Sequence, residues 1–308
     1  MIDNNAIIHS IENYMQKETP MAHYLIIADS SCELPEEYQN DPRFSLVPFY
    51  INIEDNITVD TPDIDIPKLI EDIAASRTCP KSSCPSPEAF LKLIEESDAK
   101  NIYIITISSH LSGCHNSAML AMNTYNEEHD DKNILVVDSE SASCGESQLA
   151  LKAMEYEEEG LSFEEISSKL LNFRDTMSTY CVIDNLETLR KNGRLSKVSA
   201  LAASTLNIKP LLMGVKGELE ATGKTIGLKK AWNMMVDRIV KDVTSDSKTT
   251  DYLKFHFRLI ITHCNNQGGA EKVADMLKER APFIDYVIMH TSGLSTLYAN
   301  DGGIIVTY

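Results

Sequence analysis

Short apolar runs that end in serine-rich loops constrain this chain more than any other feature. YLIIA leads into DSSCELP from Tyr24, IYIITIS into SHLSGCHNS and the helical stretch AMLAMNTY, and ILVVD into SESASCGES and the helical stretch QLALKAMEY. Apolar runs without alternation, separated by helices, are the pattern of a parallel sheet covered on both faces. Ligands of such sheets bind outside the carboxyl ends of the strands, so the three loops are expected to share one rim.

After the acidic segment EYEEEG, the helix FEEISSKLLNFRDTM carries the chain into a second unit. There TYCVID, KPLLMGV and GELEATGKTIG read as strands, LKKAWNMMVDRIVKDV as a long amphipathic helix, and TSDSKTTDY as the most linker-like loop. FRLIITHCN, the helix GAEKVADMLKER, IDYVIMH and GGIIVTY complete that unit. The expected organisation is a helical extension over residues 1–20, an N-terminal α/β domain carrying the serine-rich rim over 21–170, and a C-terminal α/β domain over 171–308. Ile7, Ile8, Ile11 and Met15 give the extension its helical spacing, and Met21 is an alternative start.

Composition narrows the function classes. The 308 residues suit two α/β units, and 43% apolar residues suffice to bury both. Against 28 basic residues stand 46 acidic ones, and the net charge of −18 repels nucleic acid and anionic membrane surfaces. No apolar run reaches the length of a membrane span, and the N-terminus has neither the basic start nor the apolar core of a signal peptide. The expectation is a soluble, cytoplasmic protein with no nucleic-acid partner and no stable membrane insertion. The seven cysteines show no framework spacing and read as reduced thiols; Cys79 and Cys84 lack the second cluster that a zinc site needs.

Several residues near the expected rim carry chemistry. Asp29 and Ser30, with Ser31, close the first strand and either hold the neighbouring loops or form a capped turn. Ser86, Pro87 and Glu88 read as a helix start, with Phe90, Leu91 and Ile94 facing inward, which leaves Ser82 and Ser83 beside free N–H groups that favour an anion. Ser112 and Gly113 start the helix after the second strand, where hydroxyl and backbone donors can meet a small acidic group together. His110, Cys114 and His115 lack a further ligand at metal spacing, and no metal is expected. Arg190, Lys191, Arg194 and Lys197 surround Asn192 and Gly193 as at a helix C-terminus, where cations suit the dipole; a ligand site is the other reading. His263, ending LIITHCN, either faces the rim or is a satisfied core histidine. There is no GxSxG elbow, no phosphate loop and no GxGxxG after the first strand, so a serine hydrolase is disfavoured and no nucleotide pocket is expected.

These loops, in this order, resemble the DegV family of bacterial fatty-acid-binding proteins from about Tyr24 to Tyr308. DSSCELP is similar to D-S-T-x-D-L-P, SSCPSPEAF to T-S-Q-P-S-P-x-x-F, and ISSHLSGCHNSA to I-S-S-x-L-S-G-T-x-x-S-A. VVDSESASCG, LETLRKNGRLSK and LNIKPLL match three further motifs of the family in register. The resemblance implies a two-domain α/β fold of the DegV type, with a parallel-sheet N-terminal domain and a mixed α/β C-terminal domain. It implies a long-chain fatty acid of the palmitate type in a buried tunnel, no cofactor, and no catalysis by this chain. A separate fatty acid kinase subunit would form the acyl phosphate on the carried acid.

By position, the resemblance assigns Ser82, Ser83, Ser112 and Gly113 to the carboxylate, with His263 near the head group, Asp29 and Ser30 in support, and Arg194 toward the kinase or the transferring phosphate. Ser82, Cys84 and Cys114 depart from the family's residues, and HTSGLSTLYANDGG departs from its C-terminal H-T-G-P-G type motif, which leaves the role of His290 open. An enzyme acting on a small phosphorylated or hydroxylated metabolite is the alternative, with the same serines, His263 and Arg194 around a short polar cleft.

Overall fold

The computed structural model describes residues 23–195, 208–245, 258–281, 283 and 285–308. The expected N-terminal extension, Lys197 and most of the linker-like run TSDSKTTDY lie outside the described residues.

The first half builds β1 (Tyr24–Asp29), β2 (Phe44–Val47), β3 (Tyr50–Ile53), β4 (Asn56–Val59), α1 (Ile66–Ala75), β5 (Lys81–Ser83), α2 (Pro87–Glu96), β6 (Asn101–Thr106), α3 (Cys114–Glu128), β7 (Asn133–Asp138), α4 (Cys144–Glu158) and α5 (Phe163–Thr176). A parallel sheet in the order β2-β1-β6-β7 forms its centre. Side chains alternate across a strand, so Ile26 and Ala28 of β1 face one core while Leu25 and Ile27 face another. Ile27, Ile102 and Ile104 pack against Phe90 and Ile94 of α2 and Ala118 and Ala121 of α3. Ile26, Tyr103 and Ile105 pack against Leu149, Ala150 and Ala153 of α4. Both faces are thus covered, which is why the strands read as unbroken apolar runs.

The second half adds β8 (Thr179–Val182), α6 (Glu187–Lys191), β9 (Ile208–Val215), β10 (Glu218–Ile226), α7 (Leu228–Thr244), β11 (Arg258–His263), α8 (Gln267–Lys278), β12 (Asp285–His290), α9 (Gly293–Ala299) and β13 (Ile304–Thr307). These strands form a mixed sheet in the order β10-β9-β8-β13-β11-β12, in which only β11 and β12 run parallel. Helix α4 lies between the two sheets, touching β1 and β6 on one side and β11 and β13 on the other. Every residue from Cys144 to Leu151 is buried, as a helix flanked by two sheets requires.

A third sheet, β4-β3-β5, is antiparallel and is not announced by the sequence. It corrects the reading of SSCPS as a serine-rich loop, because Ser82 and Ser83 are strand residues opposite Ile51 and Tyr50. Strand β5 is only three residues long and carries no apolar alternation, so its composition gives no strand signal. Ser86 does occupy the N-cap of α2, with Pro87 in the first turn and Phe90 and Ile94 buried.

Candidate functional site

The loops after β1, β6 and β7 meet the mixed sheet across a cavity of about 370 Å³. Ser31, Ile107, the segment Leu111 to Gly113 and the segment Glu140 to Ser143 supply the rim, and Cys181, Gly214, Leu219 and Ile305 supply the facing sheet. Phe49, Ile107, Ile183, Leu189 and Leu294 make much of the wall apolar. The turn between β9 and β10 closes on the rim, where the Ser108 hydroxyl donates to the Gly217 carbonyl at 2.7 Å. Gly217 has φ +81°, and a Cβ there would stand 2.5 Å from Ser108 Oγ, so glycine serves both the turn and the close approach.

Polar groups gather at one part of this cavity. Ser82, Ser83, Ser112, Gly113 and Arg194 all line it, together with Tyr298 of α9. Successive strand residues point to opposite faces, and the two serines of β5 accordingly differ: Ser82 Oγ lies 2.9 Å from the Tyr298 hydroxyl, whereas exposed Ser83 accepts the Asn52 side-chain amide at 3.2 Å. Ser112 Oγ accepts the Cys114 N–H at 3.2 Å at the start of α3, which leaves its own proton to donate. Arg194 follows Gly193, whose φ of +77° ends the turn after α6. Its Nε donates to the Leu111 carbonyl at 3.1 Å, and its guanidinium carbon lies 5.8 Å from the centre of the Tyr298 ring. The cation is thereby anchored to the same loop that carries Ser112.

Beneath the rim lies a set of buried acids. Asp29 is fully buried and accepts the backbone N–H groups of Ile107 at 2.7 Å and Ser31 at 3.1 Å, and the Cys114 thiol at 3.2 Å. It thus ties the end of β1 to the end of β6 and the start of α3. Ser30 donates to Asp60 at 2.7 Å and accepts the Phe49 N–H at 3.0 Å. Asp60 also accepts the N–H groups of Gly293 and Leu294, and Glu33 accepts that of Ser292, so two acids from the first half cap α9 of the second. Ser31 donates to Glu146, whose carboxyl is held well above the usual range by burial and by the nearby Asp29 charge. Glu33, Asp60 and Glu146 carry no sign in the sequence, since nothing in their neighbourhoods separates them from the acids of a strongly acidic surface.

Burial pushes Glu33 up to about 7. The folded state therefore holds more protons than the unfolded one from about pH 4.5 to 7, and the associated stability, complete below that window, is lost as pH rises through it. Glu33→Gln keeps an acceptor for the Ser292 N–H and can donate to Ser143, another of its partners. On raising the pH from 4.5 to 8, wild type is expected to lose on the order of 3 kcal/mol relative to Glu33→Gln, since each tenfold difference in proton affinity between folded and unfolded states is worth about 1.4 kcal/mol. Urea titrations of both proteins across that range measure the difference, and parallel pH profiles would contradict the assignment.

His263 takes the second of its two readings, a satisfied core histidine, and not the head-group place that the resemblance implies. It is fully buried at the end of β11 and does not line the cavity. Its Nδ1 accepts the Asn266 N–H at 3.1 Å, so Nε2 carries the proton and donates to Gln267 Oε1 at 2.6 Å. Burial lowers its pKa, in keeping with a neutral ring. The rim rule holds for the carboxyl ends of a parallel sheet, but β11 lies between antiparallel β13 and parallel β12 in the mixed sheet, and its end meets the start of α8 instead. His290 packs edge-on against it at 4.4 Å and lines a separate cavity beside Glu33 and Asp60. Among the described residues no group of three or more His, Cys, Asp or Glu side chains could hold a metal ion, and no helix is long and apolar enough to cross a membrane. A cavity residue that sequence reasoning misses is Tyr298, which lies against Ser82 and Arg194. Its signal is the i, i+4 spacing of Leu294 and Tyr298 in a stretch that departs from the family motif.

The family model described as an uncharacterised protein family, DegV, matches residues 23–307. A DegV domain-containing protein of Streptococcus pneumoniae is 35% identical over 287 residues, covering 92% of this chain and 98% of the relative. A DegV family protein of Ruminococcus gnavus, whose crystal structure was refined with vaccenic acid, superposes with a TM-score of 0.85 at 39% identity, covering 93% and 99% of the two chains. The fatty acid kinase (Fak) B3 protein of Streptococcus pneumoniae, loaded with linoleic acid, superposes with a TM-score of 0.81 at 34% identity, covering 92% and 98%. By sequence over nearly its whole described length, and by fold, the chain belongs to the DegV family.

Proposed function

We propose that this chain is a non-catalytic carrier that holds a long-chain fatty acid in the cavity and presents its carboxylate to a separate kinase subunit for acyl phosphate formation. The observation that carries this reading is an apolar cavity whose hydroxyl donors, Ser82, Ser112 and Tyr298, gather beside Arg194. The fatty acids held by the relatives from R. gnavus and S. pneumoniae support it. Burying about 14 methylenes at about 0.8 kcal/mol each yields roughly 11 kcal/mol of gross driving force. Chain ordering and lost rigid-body freedom offset much of this, and nanomolar to micromolar affinity remains. A carboxylate taken from water requires donors, and neutral hydroxyls provide them without a charge clamp on the oxygen that must attack phosphorus.

Titration with palmitate tests this reading. Wild type is expected to bind, and Ser112→Ala to bind more weakly by about 1 to 3 kcal/mol, the worth of a donor to a buried charged group. No palmitate binding by wild type would overturn the carrier role and favour the small-metabolite enzyme. Unchanged affinity in a folded Ser112→Ala protein would remove Ser112 from the head-group site.

A further inference from the structure

Tyr298 reaches the head-group end of the cavity from a helix held in place by the other half of the molecule. Leu294, Ser295, Tyr298 and Ala299 of α9 line the cavity. The first turn of that helix is fixed by Asp60, which accepts the Gly293 N–H at 2.8 Å and the Leu294 N–H at 2.9 Å. No Cβ fits at Gly293, where it would stand 2.4 Å from Asp60 Oδ1, so cap and helix are in close contact. The phenol consequently has little freedom to leave Ser82.

Two hydroxyls 2.9 Å apart share one hydrogen bond and own two protons. One proton bridges them and the other is available to a third group. A phenol is a stronger hydrogen-bond donor than an aliphatic hydroxyl. Donation from Tyr298 to Ser82 leaves the serine proton free to point at an anion. On its ring face Tyr298 meets the Arg194 guanidinium at 5.8 Å, a distance at which the π system attracts a cation. One side chain therefore touches both the serine expected to hold the carboxylate and the cation expected at the phosphate.

We propose that Tyr298 is a positioning residue of the head-group site, its hydroxyl directing the Ser82 proton at the fatty acid carboxylate and its ring seating Arg194. This rests on the carrier reading. It gives Tyr298 the place beside the head group that the family resemblance implies for His263.

Palmitate titrations of wild type, Tyr298→Phe, Ser82→Ala and the double variant test it. Tyr298→Phe keeps the ring and loses the hydroxyl, and is expected to weaken palmitate binding roughly tenfold, with Ser82→Ala costing about the same. The double variant is expected to be no more than about threefold weaker than either single one, because both remove the same relay. A merely structural tyrosine would instead give additive losses and a lowered melting temperature. Wild-type affinity in Tyr298→Phe, or fully additive losses, would overturn the proposal while leaving the carrier reading intact. Absence of palmitate binding by wild type would overturn the carrier reading, and the proposal with it. Should Tyr298→Phe fail to fold, Ser82→Ala supplies the remaining arm: unchanged affinity there removes the relay.

Discussion

Ala142→Trp is expected to weaken palmitate binding at least hundredfold while leaving the fold in place. Ala142 lies in the loop after β7, half-buried, with its side chain on the cavity wall. An indole there takes up a large share of a cavity of about 370 Å³ and competes directly with the methylenes of the ligand. Each methylene kept out of the cavity forfeits about 0.8 kcal/mol, so excluding about four of them already costs about 3 kcal/mol, more than a hundredfold in affinity. The free protein loses little, because the indole fills a space that is otherwise unoccupied by side chains rather than displacing packed core. Calorimetric titration, with thermal unfolding as the control for folding, measures both. Palmitate affinity within threefold of wild type in a folded variant would place the acyl chain elsewhere.

Arg194→Ala is expected to separate binding from transfer. Arg194 is held by the Leu111 and Asn192 carbonyls and by the Tyr298 ring, which fixes it at the cavity without making it a wall of the apolar part. On the proposed function Arg194 stands where phosphate charge develops, and a fixed cation there is worth about two to three orders of magnitude in rate. Acyl phosphate formation with a partner kinase and ATP should therefore fall at least hundredfold, and palmitate affinity by less than about fivefold. Equal loss of both would assign Arg194 a structural role.

Much of this organisation is legible in the sequence because the strands of the parallel sheet are covered on both faces. That burial removes alternation and leaves YLIIA, IYIITIS and ILVVD as plain apolar runs followed by serine loops, and those loops do line the cavity together. Ser112 and Gly113 are legible for the same reason, as the start of a helix after a parallel strand. The hidden features share a physical cause, since each depends on contacts between residues distant in sequence. Ser82 is a strand residue only because Ile51 lies opposite it, and Tyr298 stands beside Ser82 only because α9 is capped by Asp60 from 233 positions earlier. The place of Asp29 at a strand end marks it as a supporting group. Glu33 and Glu146, also buried, carry no comparable sign. For His263 the core reading holds and the rim reading fails, because a rule about parallel sheets does not extend to a strand in a mixed one.

On the proposed function the cavity holds a fatty acid by its apolar wall and its hydroxyl end. Mass spectrometry of lipid extracted from the purified protein tests it. A long-chain fatty acid is expected in roughly stoichiometric amount, depleted in Ala142→Trp. Recovery of no fatty acid, together with no palmitate binding by the delipidated protein, would contradict it.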